Sequence, residues 1–222
     1  MDIMQAIKER HSVRAFSDKP LPEEIVSQLK HEIASCNAQS GLHMQLVVDE
    51  PEAFDCRMAK YGKFSGVRNY VAMIGPKGST LDEDCGYYGE HIVLMAQQLG
   101  LNSCWVGMTY QKVPHAYEIK DDEKLTAVIA LGYGETSGRA HKTKTPSDVS
   151  SNLRDAPDWF LRGVEAALLA PTAVNQQKFV LSYEGDNRVH AKHGIGFYAK
   201  MDLGIIRYHF ECGAAPQKVA WV

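Results

Sequence analysis

The sequence predicts an α+β fold, and two observations support this prediction. Several segments carry apolar residues at spacings of three and four, as amphipathic helices do, and the strongest of them covers residues 84–99. Other segments are apolar runs of strand length bounded by glycine or proline, such as residues 70–74 before Gly75-Pro76. With 222 residues the chain can bury a sizeable core as one large domain or two small ones.

The elements can be predicted in chain order. The apolar patterns predict helices over residues 2–9, 21–36, 54–60, 84–99 and 158–170, and strands over residues 44–48 and 70–74. The second helix begins with Pro22 and two acids, which suit a helix start. The helix over 84–99 ends at Gly100 as a C-cap, and because it is apolar on more than one face we expect it to be central.

Composition and charge argue against several functions. A net charge of −3 and a pI near 6.3 are unlike the basic surfaces that bind nucleic acid or anionic membranes, so we expect neither partner. The longest apolar runs, 92–96 and 127–131, are too short to span a bilayer, and the N-terminus lacks a signal-peptide core. The five cysteines form no C-x-x-C pair, so we expect reduced thiols in a cytoplasmic protein and no metal site.

The segment from Ala6 to Phe16 sets Arg10, Ser12 and Arg14 at alternate positions. If the backbone is extended there, these three side chains point the same way. Two guanidinium groups and a hydroxyl are donors that suit a phosphate. Spacing alone also allows two arginines on a solvated helix end.

This segment, A-I-x-x-R-x-S-x-R-x-F followed by Pro20-Leu21-Pro22-Glu23, resembles the opening signature of the nitroreductase family of FMN-dependent oxidoreductases. The resemblance implies that Arg10, Ser12 and Arg14 hold the flavin phosphate and pyrimidine edge, with His11 beside them. It also implies a nitroreductase-like fold, in which a mixed and mostly antiparallel sheet lies between helical layers.

Residues 100–108 resemble the family's G-L-x-S-x-W-x-G strand. The resemblance implies that the backbone N–H of Gly107, or next that of Val106, points at flavin N5. Glycine does permit close approach of a ligand to the backbone. A buried strand with a bulge is the alternative.

Residues 126–134 resemble the late strand of the family, which leads into a basic loop at 139–144. The resemblance implies that Lys142 and Lys144 contact the phosphate, and Arg139 less directly. The alternative is a charged loop that is only solvated.

The last seventy residues contain a second family signature and a second copy of a short pattern found earlier in the chain. Residues 170–181 resemble A-P-S-x-x-N-x-Q-P-W-x-F, which implies that Pro171 and Thr172 cover one face of the flavin and that Asn175 bonds near its edge. The pattern D-x-G-x-x-x-x-H occurs at 84–91 and again at 202–209. In the first half no such Pro-Ser turn survives.

We therefore predict an intramolecular pseudo-dimer of two unequal halves, residues 1–150 and 151–222, intertwined as one unit. The first half supplies the phosphate grip and the second supplies the turn against the flavin. The chain then needs no second copy to complete the site, although further self-association stays possible.

The function expected from this resemblance is that of an FMN-dependent oxidoreductase, which takes electrons from NAD(P)H and reduces a nitroaromatic, a quinone or a similar small acceptor. No side chain is expected to act as nucleophile or general acid, because a flavin carries its own redox chemistry. No G-x-S-x-G, H-E-x-x-H or G-x-x-x-x-G-K motif supports a hydrolase or a nucleoside triphosphatase. The alternative is a degenerate flavin-binding protein that stores or senses FMN.

Overall fold

The computed structural model describes all 222 residues, which form seven α-helices and two four-stranded sheets. The helices are α1 (Ile3–Glu9), α2 (Glu23–Ser40), α3 (Arg57–Tyr61), α4 (Leu81–Gln98), α5 (Pro146–Val149), α6 (Asp158–Leu168) and α7 (Ala199–Ala214). The strands are β1 (Gln45–Val47), β2 (Asn69–Pro76), β3 (Asn102–Val106), β4 (Glu123–Gly132), β5 (Ser150–Ser151), β6 (Phe179–Tyr183), β7 (Arg188–His193) and β8 (Ala220–Trp221). None of the helices has both the length and the apolar composition needed to cross a bilayer.

The first sheet has the strand order β1-β2-β4-β3, and all its neighbouring strands are antiparallel. Along β2, Val71 and Met73 pack in the core that contains α4, whereas Tyr70, Ala72 and Ile74 pack in a separate cluster on the other face. The segment that contains α3 covers that second face. This sheet therefore lies between helical layers, as the resemblance implied.

The second sheet has the order β5-β6-β7-β8 and is mixed, because β6 and β7 are antiparallel while both outer strands pair in parallel. Phe179 and Leu181 are buried in the core with α6 and α7, whereas Val180 between them is exposed. The α+β class is confirmed, but the single sheet of the prediction is two sheets. The chain beyond residue 150 pairs its own strands instead of extending the first sheet, and α4 and α7 pack together between the two.

The contact between α4 and α7 depends on two glycines from the repeated D-x-G-x-x-x-x-H pattern. A Cβ atom on Gly86 would lie 2.0 Å from the carbonyl oxygen of Met201. A Cβ atom on Gly204 would lie 1.9 Å from the carbonyl oxygen of Glu83. Each helix thus packs its glycine on the backbone of the other, and the contact has the same form in both directions.

The N-terminal segment after α1 is extended and runs beside β3. Arg10 ends the helix with φ −67° and ψ 120°, the N–H of Val13 donates to the carbonyl of Ser103 over 3.0 Å, and Ser12 forms a bridge with Ser103. The backbone conformation that alternate side chains need in order to point the same way is therefore present.

Candidate functional site

A cavity of about 300 Å³ lies where the N-terminal segment, the end of β3, the turn after α6 and the start of α7 meet. This volume is in the range of small-molecule sites. Nine of the eleven residues that the sequence singled out line this cavity: Arg10, His11, Ser12, Arg14, Val106, Gly107, Pro171, Thr172 and Asn175.

The N-terminal side of the cavity is cationic, and its side chains differ in solvent exposure. Arg10 is 3% exposed, whereas Ser12 and Arg14 are exposed and the Arg14 guanidinium lies over the ring of Phe64 at 5.7 Å. Burial lowers the pKa of Arg10, and burial together with the charge of Arg10 lowers the pKa of His11. Charge-assisted donors arranged in this way suit an anionic ligand.

The thiol of Cys104 is buried in the wall of the cavity beside the same cations. Burial raises the pKa of Cys104, and the neighbouring Arg14 and Ser12 side chains oppose the rise. Because the shift is upward, the side chain is a thiol and not a reactive thiolate at neutral pH.

The end of β3 meets the start of α7 through Gly107 and Tyr198. The phenol of Tyr198 donates a hydrogen bond to the carbonyl of Gly107 over 2.9 Å, and a Cβ atom at position 107 would lie 2.4 Å from the ring. The tyrosine itself therefore requires a residue without a side chain at position 107. Tyr198 has a left-handed backbone, with φ 54°, and lines the cavity.

The turn at residues 172–177 is held by Asp202 of α7. One oxygen of Asp202 accepts the N–H of Ala173 over 2.9 Å, and the other accepts the side-chain amide of Gln176 over 2.7 Å. Burial raises the pKa of Asp202 to about 6. The turn contains three left-handed residues that are not glycine, of which Val174 (φ 46°) is β-branched and 89% exposed. Such strain persists only where surrounding contacts impose it.

A model of the nitroreductase family described as "Putative TM nitroreductase" matches residues 2–214 of the chain. The chain belongs to this nitroreductase family. A relative from Methanothermobacter thermautotrophicus, called a "Putative NADH dehydrogenase/NAD(P)H nitroreductase", is 26% identical over 157 residues, which cover 60% of this chain and 78% of that protein.

Solved nitroreductase structures share the fold. The crystal structure of a "putative nitroreductase" from Thermotoga maritima matches with a TM-score of 0.71 and 22% identity, over 96% of this chain and 83% of that one. A second from Desulfovibrio desulfuricans, solved in complex with FMN, matches with a TM-score of 0.54 and 16% identity, over 67% of this chain and 95% of that one.

Two residues that the nitroreductase resemblance pointed to, Lys142 and Lys144, do not line the cavity. The carbonyl of Lys142 accepts the side-chain amides of Asn175 and Gln177, and the ammonium of Lys144 donates to the carbonyl of Gln177 over 2.7 Å. The basic loop is therefore turned so that its backbone and Lys144 fix the 172–177 turn. Its cavity residues are Arg139 and His141 instead.

Other lining residues of this nitroreductase were not identified as site residues from the sequence: Cys104, Trp105, His141, Tyr198 and Asp202. A sequence pattern could have pointed to Asp202, because this residue opens the second copy of the repeated D-x-G-x-x-x-x-H pattern. No sequence pattern points to Tyr198, since its position depends on a contact with Gly107, 91 positions away.

Proposed function

We propose that this protein is an FMN-dependent oxidoreductase that takes electrons from NAD(P)H and reduces a small acceptor such as a nitroaromatic or a quinone. One observation carries the proposal: Arg10, Ser12 and Arg14 face the same cavity as the turn at 171–175. The FMN complex of the Desulfovibrio desulfuricans relative supports the choice of cofactor.

The donor set of the cavity fits a flavin mononucleotide. Arg10, Arg14, Arg139 and His141 line it together, and such a set of cations and donors suits the phosphate of FMN. The carbonyl of Gly107 accepts a hydrogen bond from Tyr198, so of the two backbone groups of Gly107 we assign the amide N–H to flavin N5.

When it is bound, FMN supplies the redox chemistry of the reaction. We assign the phosphate to Arg10, Ser12 and Arg14, and the charges of the two arginines also favour electron density on the pyrimidine side of the ring. Pro171 and Thr172 would cover one face of the ring and exclude water there. We assign no side chain as nucleophile or general acid.

We further propose that the two halves, 1–150 and 151–222, form a pseudo-dimer that carries a single composite site. The reciprocal packing of Gly86 and Gly204 supports this proposal. So does the coverage of the Desulfovibrio desulfuricans relative, since 95% of that chain corresponds to only 67% of this one. A site completed within one chain needs no second subunit.

The experiment is an absorption spectrum of the purified protein with and without added FMN, followed by anaerobic addition of NADPH and, separately, NADH. An oxidoreductase binds FMN, bleaches its visible bands with at least one nucleotide, and recovers them when a quinone is added. A yellow protein that neither nucleotide bleaches is instead a flavin store or sensor. A protein that does not bind FMN contradicts both functions.

A further inference from the structure

Glu90 is a fully buried carboxyl group behind the cavity, on α4. Its two oxygens have different partners: the indole N–H of Trp105 donates to Oε2 over 2.8 Å, and Oε1 lies 2.8 Å from Nε2 of His209. Nε of Arg10 lies 3.8 Å from the same Oε1. A glutamate is almost never fully buried unless it is paired, so the burial of Glu90 depends on these partners.

The protons of the cluster can be counted. Nδ1 of His209 lies 3.1 Å from the carbonyl oxygen of Ala166, and because a carbonyl only accepts, Nδ1 carries a proton. The contact of 2.8 Å between Nε2 and Glu90 then requires a second proton, shared by imidazole and carboxyl. The charges of Glu90 and His209 therefore sum to zero, and the net charge of the cluster is the positive charge of Arg10.

Arg10 has one buried side-chain atom without a hydrogen-bond partner, and that atom is Nε, which lies nearest Glu90. We infer that Glu90 is a positioning residue, which holds the guanidinium of Arg10 and the indole of Trp105 in their orientation at the cavity wall. Arg10 and Trp105 come from the first half of the chain and His209 from the second, so the cluster also joins the halves. The inference rests on the proposed function in one respect: Arg10 is taken to contact the FMN phosphate.

Glu90→Gln isolates this role. Glutamine has the same size, its oxygen accepts from Trp105, and its amide donates to a neutral His209, so both hydrogen bonds and the net charge of the cluster are kept. The amide nitrogen, however, replaces the oxygen that faces Arg10. A donor then faces a donor, and the arginine loses its preferred orientation.

The measurement is the dissociation constant of FMN and of riboflavin, which lacks the phosphate, by flavin fluorescence titration. We expect E90Q to weaken FMN binding about tenfold or more and to change riboflavin binding by less than about twofold. In an Arg10→Gln background, Glu90→Gln should change the ratio of the two constants no further. An unchanged ratio in E90Q, or an equal loss for both flavins, overturns the inference.

Glu123 provides a matched control, because its carboxyl group is also buried and also bonded to a histidine, His43, at 2.9 Å, but neither His43 nor its other partner, Lys120, lines the cavity. Glu123→Gln should lower the melting temperature without changing the ratio of the FMN and riboflavin constants. A change in this ratio as large as that in E90Q would mean that loss of any buried carboxylate has the same effect, and would overturn the inference.

Two outcomes at the level of folding are also decisive. If E90Q does not fold, the double variant R10Q/E90Q should fold, because the amide introduced at position 90 no longer faces the guanidinium of Arg10. If R10Q folds and the double variant does not, the inference is wrong. If the wild type binds neither flavin, the proposed function fails, but thermal unfolding of E90Q, R10Q and the double variant still tests the interaction between Glu90 and Arg10. If the effects of the two substitutions on thermal stability are additive, the inference is overturned.

Discussion

At the scale of single residues, Arg10 combines charge with burial at the wall of the cavity. We predict that Arg10→Ala weakens FMN binding by 1.5–3 kcal/mol, about 10- to 150-fold, because a charge-assisted hydrogen bond to the phosphate is lost. Equilibrium titration measures this change.

Lys142→Ala is the control for this prediction, since its contacts to the turn are made by the backbone carbonyl. It should leave FMN affinity within about twofold of the wild type. Wild-type affinity in Arg10→Ala would contradict the phosphate assignment, and a large loss in Lys142→Ala would restore the lysine to the site.

Asp202 makes the stability of the protein depend on pH. Burial raises its pKa from 3.8 to about 6, so between these values the folded state binds more protons than the unfolded state, and stability falls as the pH rises. The shift corresponds to about 3 kcal/mol, lost progressively from pH 4 to pH 7. We predict that Asp202→Asn gains up to this amount relative to the wild type over that range.

Chemical unfolding of the wild type and of Asp202→Asn at several pH values measures the difference. Comparing the two proteins removes the contribution of every other titrating group, including Glu123, whose pKa is lowered. A difference that does not change with pH would show that Asp202 is not a buried carboxylate in the folded protein.

That a residue lies at or near the cavity was predictable where a local motif contains that residue, and was not predictable where contacts between distant positions place it. Arg10, Ser12 and Arg14 follow from one extended segment of five residues. Glu90 is 119 positions from its partner His209, and no local pattern reports such a contact.

At the scale of elements, the packing of α4 on α7 depends on Gly86 and Gly204. We predict that Gly86→Ala lowers the free energy of unfolding by about 2 kcal/mol or more, because the new methyl group would meet the backbone of Met201 and no change of rotamer relieves the clash. Differential scanning calorimetry or chemical unfolding measures the loss.

Gly78→Ala is the matched control, since a Cβ atom there would meet nothing closer than 4.0 Å. Its effect should stay within about 0.5 kcal/mol. Equal effects of the two substitutions would mean that the helices do not approach as closely as described.

The existence of most elements was predictable, because apolar periodicity reports which face of a helix is buried. α4 begins at Leu81, three residues before its predicted start, and ends at Gln98. The orientation of the basic loop was not predictable, since Lys144 and the carbonyl of Lys142 are fixed by hydrogen bonds to the 172–177 turn.

At the scale of the whole molecule, two sheets flank a central pair of helices, and the cavity is lined by residues from before and after position 150. The α+β class was predictable from the apolar patterns of the helices and strands. The division into two sheets was not, because strand patterns specify which face is buried but not which strands pair. The predicted boundary near residue 150 stays a prediction.

A crystal structure of the protein with FMN tests the central claim of one composite site most directly. We predict a single flavin per chain, with its phosphate within hydrogen-bond distance of Arg10 and Ser12 and its ring against Gly107 and the turn at 171–175. A flavin bound elsewhere, or one bound only between two copies of the chain, would contradict the account.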